Sequence, residues 1–302
     1  MDTLPVYSRP NLFARLVYIL RHYPLGNQRP FLASFKLTYR CNLGCGQCPF
    51  CHMQAPELGY KQAVDILERL YARGNRVLIF EGGEPMLWRD GSYRVHDLVQ
   101  AAQGKFFSVG ITTNGTQPLD VATDVLWVSL DGLEETHNRL RGAPVFATVM
   151  DHIAASQHPR LYAHLTANAI NAAELPDLIR FLHSRVRGVT IQFYYPYNGG
   201  EALFLDFPKR AALLDEILAL KRAGYRVLNS TAALKALKAN TWTCQDRLVD
   251  NAGPEGSLHQ GCYLKGRAGI DCARCGFSPH TEISLACQGH PGAIAAGVKI
   301  FF

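Results

Sequence analysis

From Phe31 onward the chain alternates strand-like and helix-like segments, and this alternation limits the fold more than any other feature. Strand patterns fall at Leu32–Leu37, Arg76–Phe80, Phe106–Ile111, Val125–Leu130, Leu161–Ala167 and Val189–Phe193. Helical patterns fall at Lys61–Tyr71, Tyr93–Gln103, Phe146–Ser156, Leu175–His183 and Lys209–Arg222. Strands separated by helices that bury one face imply parallel βα units with right-handed crossovers. Six such units build either a doubly wound sheet or an incomplete (β/α) barrel. In both, chemistry gathers at the C-terminal ends of the strands. Here those ends run into Thr38–Cys48, Glu81–Pro85, Thr112–Gly115, Ser129–Gly132, Asn168 and Tyr194–Gly200. Every one carries Gly, Asn, Asp, Glu, Thr or Cys, as a binding floor would.

A chain of 302 residues with 48% hydrophobic residues has the means to bury a core, which excludes disorder or coiled coil as the main theme. The formal charge of +6 is mildly basic, and the Lys and Arg residues are spread thinly, which argues against nucleic acid as a partner. No run of 18 apolar residues exists, and Met1 to Pro10 lacks the order of a signal peptide. A cytoplasmic setting with reduced thiols is expected. Residues 11–23 place Leu12, Phe13, Leu16, Val17, Ile19 and Leu20 on one helical face, with Arg15, Arg21 and His22 opposite. Such a helix packs on the main body or, as the alternative, rests on a membrane surface as a basic amphipathic helix.

The nine cysteines are distributed unlike a disulfide framework. Four lie between Cys41 and Cys51, five between Cys244 and Cys287, and the 192 residues from His52 to Thr243 hold none. In Cys41-Asn-Leu-Gly-Cys45-Gly-Gln-Cys48 three thiols just after a strand can turn toward one point. Three thiolates on a short loop suit an iron–sulfur cube with one iron left open. The alternative is zinc, completed by Cys51 or His52. Glu81-Gly-Gly-Glu84-Pro85 follows the second strand, where paired glycines let backbone approach a ligand and the carboxylate can accept from an ammonium group.

Taken together, these two motifs resemble the hallmarks of the radical S-adenosylmethionine (radical SAM) superfamily, a CxxxCxxC loop after the first strand and Gly-Gly-Glu-Pro after the second. The resemblance covers roughly Phe31 to Phe193 and extends to Thr112-Thr-Asn-Gly115 and Ser129-Leu-Asp-Gly132. It implies a partial (β/α)6 TIM-type barrel in which Cys41, Cys45 and Cys48 ligate three irons of a [4Fe–4S] cluster. The fourth iron would chelate S-adenosylmethionine. Gly82, Gly83 and Glu84 would hold its ammonium group, and Thr113, Asn114, Ser129 and Asp131 would line the ribose and carboxylate. Phe193 and the backbone after it would lie near the adenine. One electron would cleave the sulfonium C–S bond, and the resulting 5′-deoxyadenosyl radical would abstract hydrogen or add to an unsaturated carbon. A primary radical demands a dry site of fixed geometry, which the protein supplies around the cofactor. Gln47 departs from the aromatic residue often found before the third cysteine; Phe50 is its candidate substitute, and Cys51 is spare or structural.

The division expected is 1–30 as N-terminal helix and lead-in, 31–237 as core, and 238–302 as an irregular, glycine-rich extension that needs a staple. Cys262, Cys272, Cys275 and Cys287 are its expected ligands, with Cys244 able to replace Cys262 or Cys287. By position this tail resembles a SPASM or twitch extension, without the full seven-cysteine pattern, which implies a second [4Fe–4S] cluster. Zinc or free thiols are the alternatives. Arg40-Cys-Asn-Leu-Gly, Cys262-Tyr-Leu and Cys272-Ala-Arg-Cys275-Gly are also similar, in part, to the hopanoid-type adenosyltransferase group.

The expected function is therefore a radical SAM enzyme, an oxidoreductase or transferase, fed by an electron donor such as flavodoxin or ferredoxin. The N-terminal helix and the aromatic rim Tyr194–Tyr197 favour a lipid or isoprenoid substrate. The alternatives are a peptide-modifying maturase, for which no peptide-binding domain is found, and a non-catalytic iron–sulfur or zinc module. Arg139 and Arg141 could reach a carboxylate of ligand or protein. His137, His164 and His280 are read as solvated or core, and Asp246 and Glu282 as surface charge.

Overall fold

The fold, seen in a computed structural model, is described for residues 11–22, 29–50, 52–197, 200–265 and 269–302. Cys51, Tyr23 and residues 198–199 of the aromatic rim lie outside the described residues. In chain order the elements are α1 (Leu12–His22), β1 (Leu32–Thr38), α2 (Tyr60–Arg73), β2 (Val77–Gly82), a ribbon of β3 (Arg89–Asp90) and β4 (Tyr93–Arg94), α3 (Val95–Gln103), β5 (Ser108–Thr113), β6 (Val125–Ser129), α4 (Glu134–Arg141), α5 (Phe146–Ala155), β7 (Leu161–Ala167), α6 (Leu175–Leu182) and β8 (Val189–Phe193). There follow α7 (Phe207–Arg222), α8 (Thr231–Leu237), β9 (Val249–Ala252), β10 (Leu258–Gln260), α9 (Ser278–Cys287) and α10 (Pro291–Phe301).

Eight strands form one sheet in the order β10-β9-β1-β2-β5-β6-β7-β8, parallel throughout except that β10 runs against β9. From β1 to β8 neighbours follow chain order with no reversal. That is the order of an opened (β/α)6 barrel, not of a doubly wound sheet.

Side chains alternate across this sheet as the two-residue period requires. Phe35, Leu37, Leu78, Phe80, Val109, Ile111, Val128, Leu165 and Ile191 join the core beneath the helices. The opposite parity carries Lys36, Glu81, Thr112, Ser129, His164, Thr166, Thr190 and Gln192 into the barrel lumen. At the N-terminal end of the lumen Val125, Trp127, Tyr162, Leu228 and Ile300 make a second apolar cluster that acts as a plug. Gly110 sits against it: a Cβ there would lie 2.9 Å from the Trp127 ring and 3.0 Å from Ile79.

The ends of the described chain meet at this base. Phe301 packs on Trp127 at 5.8 Å, and the Arg160 guanidinium donates to the Phe302 carbonyl at 2.5 Å. On α1, Arg15 lies over the Phe107 and Phe302 rings, and the Tyr18 hydroxyl donates to Gly74 O at 2.6 Å. Phe13 and Val17 face outward.

Three segments differ from the sequence-based expectation. The helix expected from Tyr93 begins at Val95, because Tyr93 stacks on Tyr60 (3.9 Å, 5°) in the ribbon and the Asp97 carboxylate accepts from Arg94 N at 2.7 Å. The helix α4 was not expected, since it buries only His137 and Leu140 and has no apolar stripe. The tail is also more regular than its glycines suggest. β9 extends the main sheet beside β1, and Asp250 pins it by accepting from Arg73 (2.8 and 2.9 Å) and Asn75 (2.7 Å) of the α2 end. Helix α9 packs on α8 and β8 at one sheet edge and on the turn Asp246–Leu248, which leads into β9, at the other. The extension thereby spans the open side of the barrel.

Candidate functional site

The loop after β1 carries Cys41, Cys45 and Cys48, all free thiols, half-buried or buried. Its sulfurs attract donors. Leu43 N lies 3.4 Å from Cys41 Sγ, Phe50 N lies 3.3 Å from Cys48 Sγ, and Asn114 Nδ2 lies 3.7 Å from Cys41 Sγ. The Arg141 guanidinium lies 4.0 Å from Cys45 Sγ. Burial pushes the Cys41 and Cys45 thiols up, and the neighbouring thiolates push in the same direction, while Arg141 pulls Cys45 down. Donors aimed at crowded sulfurs fit a metal-bound thiolate set. Among the described residues no three His, Cys, Asp or Glu side chains close tightly enough for a single metal ion.

The end of β2 is sewn to this loop. Gly83 N donates to Thr38 O at 2.7 Å and Glu84 N to Arg40 O at 2.9 Å. A Cβ on Gly82, at φ 126°, would meet Thr38 O at 2.5 Å, and one on Gly83 would meet Arg40 O at 2.3 Å. The paired glycines are therefore required by backbone packing. Glu84 is fully buried, and its carboxylate accepts from Thr113 Oγ1 (2.7 Å), Asn114 N (2.6 Å) and Met86 N (3.0 Å). Burial still holds its pKa up against those bonds. One lone-pair direction remains for a ligand.

Two residues expected at the cofactor are committed elsewhere. The Thr113 hydroxyl donates to Glu84 and accepts from Gly115 N at 3.1 Å, so it orients the carboxylate. Phe193 has the outward parity of Val189 and Ile191 and packs in the helical core; Gln192 is the lumen-facing neighbour. Asn114 and Asp131 stay at the rim. Asp131 Oδ2 accepts from Arg141 (2.7 Å) and Gln47 (2.6 Å), while Asp131 Oδ1, Gln47 Oε1 and Arg141 Nε are buried without a partner. Gln47 thus joins a polar group beside Cys45. Phe50 stacks on Tyr39 (5.8 Å, 8°) and contacts Tyr263. Sequence reasoning gave no weight to Gln47 as a donor and left Arg141 open between two roles; the spacing of Arg141 behind Asp131 was the available signal.

Below the rim, Lys36 Nζ is buried among Glu81 Oε1 (3.1 Å), Ser34 Oγ (2.9 Å) and Asn251 Oδ1 (3.1 Å). Burial pushes the Glu81 carboxyl up, but Lys36 and Ser34 outweigh it and hold it low. His164 donates to or accepts from Thr190 Oγ1 at 2.9 Å. Burial lowers His137, His164 and His280 each to about 4, which keeps them neutral and agrees with core roles.

The second thiol group lies in the C-terminal extension. The Cys244, Cys262, Cys272 and Cys275 thiols act on one another electrostatically; burial and this repulsion push Cys244 to about 12 and Cys262 to about 11. Cys287, at the end of α9, has Arg247 as its charged neighbour. Asp246 faces Cys244 and Cys262 and pairs with Lys265, and Glu282 is half-buried with its carboxylate accepting from Ser230 N at 2.6 Å. Neither is simple surface charge, contrary to expectation.

The group is tied to the rim. Phe193 N donates to Gly276 O at 2.9 Å, and a Cβ on Gly276 would lie 2.4 Å from Phe193 Cβ. Asp271 N donates to the Tyr195 hydroxyl at 2.8 Å, and the Tyr197 and Tyr263 hydroxyls share a hydrogen bond. Beside Cys262 a cavity of about 520 Å³ is lined by Tyr39, Phe50 and Tyr263 and by polar residues that include Lys36, Glu255 and His259.

Comparison with known proteins gives this geometry its context. Residues 35–182 match the radical SAM superfamily model. The GTP 3′,8-cyclase of Rhizobium etli is 30% identical over 183 residues, covering 56% of this chain and 52% of the relative. The Fe-coproporphyrin III synthase of Methanosarcina barkeri is 26% identical over 165 residues, covering 49% and 40%. The chain thus spans about half the length of the curated relatives it matches. Streptococcus suis SuiB bound to S-adenosylmethionine superposes with a TM-score of 0.64 at 14% identity, covering 95% of this chain and 72% of SuiB; SuiB bound to precursor peptide SuiA gives 0.63, 14%, 99% and 76%. The thiol loop and the glycine pair both lie inside the matched region, so residues 35–182 form a radical SAM domain, a domain of enzymes.

Proposed function

We propose that the protein cleaves S-adenosylmethionine reductively at a [4Fe–4S] cluster held by Cys41, Cys45 and Cys48, and uses the radical so formed on an organic substrate. What carries the reading is the convergence of three strand ends on the thiol loop after β1: Gly82–Glu84, Asn114 and the Asp131–Arg141 pair all border it. When bound, the cluster supplies the electron that breaks the sulfonium C–S bond, giving methionine and a 5′-deoxyadenosyl radical. The residues do the rest. Gly82, Gly83 and the spare lone pair of Glu84 take the ammonium group, while Asn114, Ser129 and Asp131 orient ribose and carboxylate. Arg141 offers its unpartnered Nε beside Asp131. The lumen plug and the closing helix α9 exclude water.

Residues 31–237 act as the core in this reading, and 238–302 hold a second metal–thiolate centre through Cys244, Cys262, Cys272 and Cys275, an iron–sulfur cluster in preference to zinc. The donor set fits: N–H groups of Leu264, Gly276 and Phe277 offset the burial of Cys262 and Cys275. A lipid or isoprenoid substrate is supported by outward-facing Phe13 and Val17, which suit contact with a membrane surface. A peptide substrate is the second reading. It is favoured by the likeness to peptide-bound SuiB, which extends through the cysteine-rich tail. A flavodoxin- or ferredoxin-type protein would supply electrons.

The test is electron paramagnetic resonance of the dithionite-reduced, iron-reconstituted protein. Addition of S-adenosylmethionine should change the cluster signal of the wild type, and Cys45→Ala should lack that signal. A wild-type signal indifferent to S-adenosylmethionine would reject the assignment. Mass spectrometry of lipid and peptide fractions incubated with the reduced protein separates the two substrate readings.

A further inference from the structure

Helix α7 buries a guanidinium that has no carboxylate. Arg210 is fully buried, no carboxylate among the described residues acts on it, and the Cys275 thiol is its one titratable neighbour. Its Nη1 donates to Cys275 O at 3.0 Å and lies 3.5 Å from Asn240 Oδ1, whereas Nε and Nη2 have no partner. Phe193 and Phe207 present their rings at 4.5 and 4.9 Å. Ring faces and one carbonyl soften the burial of a cation, but they do not replace an anion. Asn240 holds the same carbonyl: its Nδ2 donates to Cys275 O and Ala273 O, both at 2.6 Å, from a backbone with φ 50°. A strained asparagine and an unpaired arginine both converge on one cysteine of the four-thiol group.

We propose that Arg210 is the buried counter-charge of the second metal–thiolate centre, a positioning residue that fixes Cys275 and favours the reduced state there. The proposal rests on reading Cys244, Cys262, Cys272 and Cys275 as the ligands. Four thiolates around an oxidised iron–sulfur core would carry net negative charge, which supplies the anion that Arg210 lacks among the described residues. A cation so close stabilises an added electron, and its removal makes reduction harder.

The test compares wild type, R210K and R210M in the full, reconstituted chain; R210Q, which keeps a donor for the Cys275 carbonyl, replaces R210M if that variant does not fold. In redox titrations the charge-free variant should shift the reduction equilibrium of the second centre at least tenfold toward the oxidised form, about 59 mV for one electron. R210K should hold near wild type, and the first centre should not move. Thermal unfolding supplies a second readout. Stripping the metals leaves Arg210 unpaired in the wild type, so chelation should lower its Tm more than that of the charge-free variant. Equal potentials in all three proteins, or equal Tm losses, would overturn the role of Arg210 and leave the centre standing. Metal content unchanged by Cys275→Ala would instead overturn the four-thiolate reading itself.

Discussion

Cys244 and Cys287 show how far single residues can be read before folding. Spacing marks Cys272 and Cys275 as a pair, but nothing in a linear chain tells which distant thiols complete it. The β9–β10 excursion brings Cys262 in, the loop after α8 brings Cys244 in, and α9 leaves Cys287 beside Arg247. Cys244→Ser should therefore remove the second centre's metal, whereas Cys287→Ser should retain it, as metal analysis of the purified variants will show. The same limit applies to Glu84. Its motif marked it as a ligand contact, yet three donors buried around it give it a structural role as well. Gln47 was visible only as a missing aromatic, because its partner Asp131 is 84 residues away.

At the scale of elements, apolar periodicity located β7 and β8 to the residue and the other four expected strands within two residues. It failed where the pattern is absent: α4 is polar on most faces, and α9 and α10 are built of small residues stabilised by packing on each other. Two glycines test the packing between elements. Gly110→Ala forces a methyl against the Trp127 ring, Ile79 and the Val125 carbonyl, overpacking the plug, and should cost about 1–3 kcal/mol in chemical denaturation while leaving both centres loaded. Gly276→Ala meets Phe193 Cβ at 2.4 Å and its carbonyl at 3.0 Å. It should part the extension from β8 and lower the metal content of the second centre, with that of the first retained. Equal metal loss at both centres would mean that Gly276 serves global folding instead.

For the whole molecule, the open barrel and the helices around it bury three histidines as neutral groups, His164 in the lumen, His137 on α4 and His280 on α9. His137, His164 and His280 titrate near 4 when folded, below the ordinary value of 6.5, so the unfolded chain binds more protons between those limits. Their contribution is complete above pH 6.5 and fades as pH falls toward 4, roughly 1–3 kcal/mol for each. Glu282 works in the opposite sense. Burial raises it to about 7, so its contribution is complete below its unfolded value near 4.5 and is lost as pH rises through 7. Three groups outweigh one, and Tm should fall between pH 6.5 and 5; a His164→Gln variant should show a shallower fall, and an unchanged slope would contradict the neutral-histidine picture. The fold class and the first thiol site were legible because both are local in sequence, whereas the closure of the barrel by its own tail is not. The central claim concerns what the assembled rim does to S-adenosylmethionine. Anaerobic, reconstituted protein given dithionite and S-adenosylmethionine should release 5′-deoxyadenosine and methionine in equal amounts, measured by liquid chromatography, and Cys45→Ala should release neither. Iron-loaded wild type that leaves S-adenosylmethionine intact would contradict it.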